Sequence, residues 1–311
     1  MRIRVLGSAA GGGFPQWNCG CPNCRGVREG KVRATPRSQE SVGVSADGAD
    51  WVLLNVSPEV RAQIESFESL HPRGPRHSPI AAIVLTNGDL DHVLGLLSLR
   101  ESHPLVIYAT ERMRAGFTEG NVLYRTLERF PEQVTWRPLK LGREETLTGA
   151  DGKSCGLLVE AVAVPGKPPI HLENRPGART SSDPEDNIGL RVRDAATGRR
   201  LAYFPAAGGI TPAVADALAD ADCVFFDGTF WSSDELPAQG LGAKRAADMA
   251  HLPIGGREGS LAVLRGHLPS ARRVYIHVNN TNPVLREDSP ERKEAEAAGW
   301  TIAWDGMEVT L

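Results

Sequence analysis

The stretch IVLTNGDLDHVLGL, from Ile83 to Leu96, runs an apolar segment into a turn that carries Asn87, Asp89, Asp91 and His92, and then into a second apolar run of near-helical period. Carboxylates and an imidazole gathered at such a junction repel or need partners. A bound cation satisfies them; a solvated turn with Asp91 capping the following helix is the plainer alternative. A second cluster, CGCPNC, places Cys19, Cys21 and Cys24 in one tight loop. Thiolates are soft ligands, and this spacing lets a single loop wrap around zinc. The remaining cysteines are Cys155 and Cys223, which makes five in all. An odd number with three crowded together is not a disulfide framework, and in a reducing compartment it points to metal.

The elements that must position these groups can be read from pattern. A first strand near Arg2 to Ser8 breaks into a glycine-rich loop that holds the cysteines. SVGVSADGADWVLLNVS reads as a hairpin turning at Asp47-Gly48, and SPEVRAQIESF as a helix with Ser57 as N-cap and Pro58 at its first position. Ala81 to Leu85 form a buried strand directly before the Asp-His motif. PLVIYAT is a strand, ERMRAGFTEG a helix, and VTWRPLKL and GLLVEAVAVP are strands. Gly166 to Asn187 is a long loop rich in Pro, Arg, Ser and Asp. IGLRVRDAATGRRLAYFPA is a second hairpin, TPAVADALADA a helix, CVFFDGTFW a buried strand and GSLAVLRGHL a helix. RRVYIHVNN is a strand, ERKEAEAAG a helix, and WTIAWDGMEVTL the closing strand pair.

Hairpins followed by helix–strand alternation in each half predict one domain, residues 1–311, of two mixed sheets packed face to face with helices outside. A doubly wound parallel sheet fits less well, because hairpins require antiparallel pairs. At 311 residues, 41% hydrophobic, the chain can bury a large core. The net charge of −3 gives no electrostatic case for nucleic acid or an anionic membrane. No apolar run is long enough to span a bilayer, and the start MRIRVLGSAAGGGF is too short in apolar residues for a secretory signal. A cytoplasmic protein is expected.

NGDLDH resembles the HxHxDH signature of the metallo-β-lactamase superfamily, with Asn87 and Asp89 in place of the first two histidines and Asp91 and His92 retained. The resemblance implies that the first of two metal positions is lost. The third histidine of that position would fall at Gly166 or Lys167 of AVAVPGKPPIH, with His171 a few residues late. The bridging aspartate would fall at Pro205 or Ala206. The final histidine is His277 of VYIHVNN. One metal would then remain, held by Asp91, His92 and His277.

More of the chain resembles one family within that superfamily. SAAGGGFPQWNCGCPNC, TNGDLDHVLGLLSLRE, FFDGTFW, HLPIGG and IHVNNTNPVL, in this order, resemble the coenzyme pyrroloquinoline quinone (PQQ) biosynthesis protein B family. The resemblance implies a four-layer αββα sandwich of the metallo-β-lactamase fold, mixed α/β in class. It also implies a role in making PQQ, whose peptide precursor is cross-linked between glutamate and tyrosine and then trimmed. The expected activity is hydroxylation of the tyrosine-derived ring with dioxygen and iron, with an amino-acid-derived small molecule as substrate and other PQQ pathway proteins as partners.

One carboxylate and two histidines form the facial triad of non-haem iron(II) oxygenases, while zinc can use the same three ligands. Asp89 is a candidate fourth ligand or base. His251 of MAHLPIGG stands where related hydrolases keep a proton-donating histidine, and Asp227 of FFDGTFW is placed to hold it, a ligand histidine or a substrate amine. Arg179 is the candidate for a substrate carboxylate, and Trp17 for the wall of the pocket. The thiolates need a fourth zinc ligand, with Asn280, His277 and His251 as candidates. A related phosphodiesterase completes a similar cluster with a histidine at the position of Asn280. Two other functions compete: a zinc hydrolase of the same fold, and a carrier that binds the finished quinone for transport.

Overall fold

The computed structural model describes residues 1–172, 183–268 and 270–311. Its strands are β1 (Arg2–Gly7), β2 (Ser41–Ser45), β3 (Trp51–Leu54), β4 (Ile80–Val84), β5 (Leu105–Ala109), β6 (Val134–Pro138) and β7 (Glu144–Thr148). They continue with β8 (Ser154–Ala163), β9 (Ile188–Asp194), β10 (Arg200–Phe204), β11 (Cys223–Asp227), β12 (Arg272–Ile276), β13 (Trp300–Ile302) and β14 (Glu308–Thr310). One sheet runs β14-β1-β2-β3-β4-β5-β6 and the other β13-β12-β11-β10-β9-β8-β7. Each is antiparallel over its first hairpins and parallel thereafter. The change comes between β3 and β4 in one sheet and between β10 and β11 in the other. The expected two mixed sheets are thus present, and the halves repeat one pattern.

Strand alternation distributes side chains between two cores, because successive residues of a strand face opposite sides of its sheet. Leu201, Tyr203, Phe225, Val274 and Ile276 join Ile3, Val42, Leu53 and Ile83 in a core between the sheets. The intervening Ala202, Phe204, Val224, Phe226 and Tyr275 face the other way. There they pack with Val214 and Leu218 of the helix Pro212–Ala219 and with Leu261 of the turn Ser260–Val263. Both faces of the central strands are therefore buried, which is why CVFF, before Asp227, reads as an unbroken apolar run.

Several expectations change. Strand β7 was not legible, because EETLT is polar and half-exposed at a sheet edge. The closing segment is not a pair: β13 joins β12, and β14 joins β1. Ala303 and Met307 cross between them inside the inter-sheet core, so one segment closes an edge of each sheet. The helix after β3 begins at Val60 rather than at Pro58. Ser57 does not cap it, since its hydroxyl donates to Gln63 Oε1 at 3.0 Å. The cysteine loop contains a helix, Pro22–Arg28, and GSLAVLRGHL forms only the turn Ser260–Val263. Among the described residues no helix is long and apolar enough to cross a membrane.

Candidate metal centre

The Asp-His motif leaves the carboxyl end of β4, and His277 leaves the carboxyl end of β12, so each sheet supplies part of one site. The short helix Leu90–Val93 is pinned to the exit of β3: Val56 N donates to His92 O at 2.8 Å, and Gly95 N donates to Val56 O at 3.1 Å. Asp91 is the second residue of this helix and Asp89 takes the cap position with no side-chain cap bond, so Asp91 is not the N-cap. His277 has φ +59°, in the left-handed region that few non-glycine residues adopt. That kink ends the strand and turns the imidazole toward the motif. It is held by Gly228 N donating to Ile276 O at 2.7 Å and Val278 N donating to Ser8 O at 2.9 Å.

The side chains converge. His92 Nε2 lies 3.3 Å from His277 Nε2, His277 Nε2 lies 3.1 Å from Asp91 Oδ2, and His92 Nε2 lies 3.6 Å from Asp91 Oδ2. Donors bound at about 2.0–2.2 Å to a tetrahedral ion stand roughly 3.3–3.6 Å apart. The triangle therefore has the dimensions of a ligand set, and its donor types suit iron or zinc. Asp227, His251 and His277 form another close group, but the Thr229 hydroxyl sits in its midst, so it is a hydrogen-bonded hub rather than a cation site.

Support for His92 comes from groups the sequence did not single out. Its Nδ1 lies 2.6 Å from Asn55 Nδ2 and 3.3 Å from Glu40 Oε2. Asn55, at φ +61°, is oriented by Thr86, whose backbone N donates to Asn55 Oδ1 at 2.9 Å. Asn55 Nδ2 donates to Glu40 Oε2 at 3.0 Å, and the Tyr203 hydroxyl donates to Glu40 Oε1. Glu40, Asn55 and Tyr203 are fully buried. Burial opposes a charge on His92, but Asp91 and Glu40 outweigh it and hold the imidazolium up to about 9. Burial would likewise raise Asp91, yet His92 and His277 hold it well below the usual carboxylate range. Without metal the triad is a proton-holding ion cluster, and a cation must displace that proton.

The rings of His92 and His251 each stack on that of His277, at centroid distances of 5.0 and 5.4 Å and both at 25°. His251 Nδ1 lies 2.7 Å from Asp227 Oδ2. Asp227 also accepts from Ala207 N at 2.8 Å and from Thr229 N at 2.9 Å. Burial would raise this carboxyl, but His251 beside it holds it below the ordinary range. Asp227 thus braces His251 directly, as one of its expected roles required.

A cleft of about 440 Å³ opens over the triad. Asn87, Asp89, Gly166, Lys167 and Ala206, among the positions that the superfamily resemblance assigns to the other metal ligands, line it together. Asp89 lines the cleft outside the triangle of Asp91, His92 and His277, with its Oδ1 3.8 Å from Lys167 Nζ. His171 belongs to no candidate metal group among the described residues. Trp17 is 85% exposed and absent from the cleft wall, which corrects its expected place; Gly11 and Gly12 border the cleft from that loop instead. Arg179 lies outside the described residues.

The three thiols of the other cluster also converge, and none of the five cysteines is in a disulfide. Asn280 Nδ2 lies 3.1 Å from Cys19 Sγ, 3.8 Å from Cys21 Sγ and 3.4 Å from Cys24 Sγ. Asn280 therefore stands at the fourth corner, while His277 and His251 are committed elsewhere. Burial pushes the Cys21 thiol up to about 12, so without a metal it stays protonated.

A two-sheet sandwich with an Asp-His-His site across the ends of its strands defines a protein of the β-lactamase superfamily, and residues 50–278 match the family described as "Beta-lactamase superfamily domain". Within it, the chain belongs to the coenzyme PQQ synthesis protein B family. It is 43% identical to that protein of Azotobacter vinelandii over 312 residues and 45% identical to that of Methylococcus capsulatus over 317, with all of each chain covered. The crystal structure of zinc-bound PqqB from Methylobacterium extorquens superposes with a TM-score of 0.91 at 42% identity, again covering both chains completely.

Proposed function

We propose that this chain acts in PQQ biosynthesis as a mononuclear metal oxygenase that hydroxylates the tyrosine-derived ring of a cross-linked glutamate–tyrosine intermediate, one atom of dioxygen entering the ring and the other leaving as water with two electrons from an external reductant. The carrying observation is the 3.1–3.6 Å triangle of Asp91, His92 and His277 at a cleft also lined by Asn87, Gly166, Lys167 and Ala206, which give a second metal no histidine. Iron(II) held by these three side chains would supply the activation of dioxygen. The rest falls to the chain itself. Leu90, Ile170 and Phe230 give the cleft apolar surface for a ring, and Lys167 and Lys244 bring positive charge for the substrate's carboxylates. His251, with Nδ1 engaged by Asp227, has Nε2 left to take the phenol proton. Asp89 lines the cleft and provides a carboxylate for the substrate's ammonium group.

The test loads anaerobic protein with iron(II), adds the cross-linked substrate and a reductant such as ascorbate, and admits oxygen. Oxygen-dependent ring hydroxylation that disappears in Asp91→Ala and His92→Ala is the expected result. Tight quinone binding without turnover would replace this reading with a carrier, and zinc-dependent phosphodiester cleavage would replace it with a hydrolase.

A further inference from the structure

We infer that Thr229 is a positioning residue that fixes the tautomer of His277, so that its Nε2 lone pair faces the metal. The inference rests on the proposed metal at the triad.

The Thr229 hydroxyl has four polar neighbours: Asp227 Oδ1 at 2.6 Å, His277 Nδ1 at 2.8 Å, the His277 carbonyl oxygen at 3.0 Å and His251 Nδ1 at 3.1 Å. A hydroxyl has one proton and two lone pairs. Two of these neighbours are oxygens that can only accept, and one of them is an ionised carboxylate at the shortest distance. A charge-assisted O–H···O⁻ bond takes the proton in preference to a neutral acceptor. The hydroxyl lone pairs then face the ring nitrogens. His277 Nδ1 must carry a hydrogen to meet them, which leaves Nε2 bare.

Asp227 cannot do this directly, because both its oxygens are occupied. Oδ2 takes Ala207 N and His251 Nδ1, and Oδ1 takes the amide and hydroxyl of Thr229. One buried carboxylate therefore orients two histidines, His251 by contact and His277 through an interposed hydroxyl. Carboxylates commonly hold metal-ligating histidines in this way, and losing such support typically costs about 10–100-fold in metal affinity. Thr229 is 3% exposed, and its backbone N–H and its hydroxyl both reach the same oxygen of Asp227.

The experiment compares wild type, Thr229→Val and Thr229→Ser. Valine keeps the shape and β-branching but has no hydroxyl; serine restores the hydroxyl without the methyl. In a cobalt(II) titration the sulfur-to-cobalt charge-transfer bands report the thiolate cluster, and visible d–d intensity that does not track those bands reports the nitrogen and oxygen site. The expected result is a loss of about 10–100-fold in cobalt affinity at the triad in Thr229→Val, recovery in Thr229→Ser, and unchanged thiolate bands in both. Equal affinity in wild type and Thr229→Val overturns the inference while leaving the metal site intact. A valine effect that serine does not reverse assigns Thr229 to packing and overturns it as well. If wild type shows no cobalt at the triad at all, the proposed function fails together with the inference. Imidazole nitrogen shifts of the zinc-loaded proteins give a second reading, in which His277 should carry its hydrogen on Nδ1 in wild type.

Discussion

His92 Nε2 and His277 Nε2 lie 3.3 Å apart although 185 residues separate them in the chain. One hangs from the end of β4 and the other from the end of β12, so the contact joins the two sheets at their carboxyl ends. Both rings are buried, and Asp91 Oδ2 completes the triangle at 3.1 Å from His277 Nε2. Nothing in chain connectivity requires this approach; the donor geometry supplies the reason.

The first prediction concerns these ligands. His277→Ala should cost the chain about one metal equivalent and leave the thiolate-bound metal in place. Metal content by mass spectrometry, measured on His277→Ala and separately on Cys24→Ala, distinguishes the two sites. A His277→Ala protein that retains its full metal content would show that the triad is not a ligand set.

Stability of the metal-free protein should depend on pH in a defined direction. His92 is held up to about 9 from its ordinary 6.5, with burial opposing the shift and Asp91 and Glu40 overcoming it. A raised imidazolium adds stability that is complete below about pH 6.5 and is lost as the pH climbs through about 9. Asp91, held below its ordinary value, adds stability that is present at neutral pH and lost on acidification. Urea midpoints of chelator-treated protein should therefore fall between about pH 6 and pH 9.5, and His92→Gln should flatten that fall. Metal binding at about pH 7.5 should release a proton, visible as a dependence of the binding heat on buffer ionisation.

Gly95 supplies a test of how the motif is held. A Cβ at this position would lie 2.2 Å from the Ser57 carbonyl oxygen, and backbone cannot yield as a flexible side chain does. Gly95→Ala should cost about 1–3 kcal/mol or more. It should also weaken metal binding, because Gly95 N donates to Val56 O and Val56 N in turn donates to His92 O. Denaturation and cobalt titration of the variant measure both effects. Unchanged metal affinity would show that the motif helix tolerates displacement.

Tyr203→Phe removes a hydroxyl that donates to buried Glu40. Asn55 still donates to that carboxylate at 3.0 Å, so the charge is left under-satisfied rather than bare. A destabilisation of about 1–3 kcal/mol is expected, measured by urea denaturation at neutral pH.

These supporting groups mark where sequence reading stopped. The three cysteines were legible because they sit in one short segment with ligand spacing; Asp91 and His92 stand out on their own, but a capped turn fits them equally well, and the superfamily resemblance is what favours metal. His277 followed only from the family resemblance, since nothing local marks a histidine that turns through a positive φ. Asn55 left a trace, a lone polar residue at the end of the buried run VLL, as did Thr229 within FFDGTFW. Glu40 left none: it lies in a polar stretch and becomes buried only when β9 and β10 bring Tyr203 over it. Trp17 failed for the opposite reason. A large aromatic beside a glycine-rich loop suggests a pocket wall, but nothing in its neighbours specifies which way it points. The crossing of Ala303 to Met307 between sheets was equally hidden, because a strand pair and two edge strands share the same alternating pattern.

The last prediction joins the two candidate metal sites. Asn280 stands against all three sulfurs and follows His277 by three positions in the chain. Asn23, in the helix that carries Cys24, donates to Asn280 O at 3.1 Å and to Asn282 O at 2.9 Å. The cysteine helix and the segment after His277 are therefore locked to each other, and a metal among the thiolates would tighten that lock. Cys24→Ala should lower thermal stability and reduce cobalt affinity at the triad, by less than His277→Ala does. Asn280→His places a nitrogen ligand at the same corner, and should raise zinc affinity of the cluster while leaving triad affinity unchanged. If Cys24→Ala abolishes cluster metal but leaves both the melting temperature and the triad affinity as in wild type, the clamp has no mechanical role. The left-handed turn at His277 would then be held by its own backbone bonds to Gly228 and Ser8 alone.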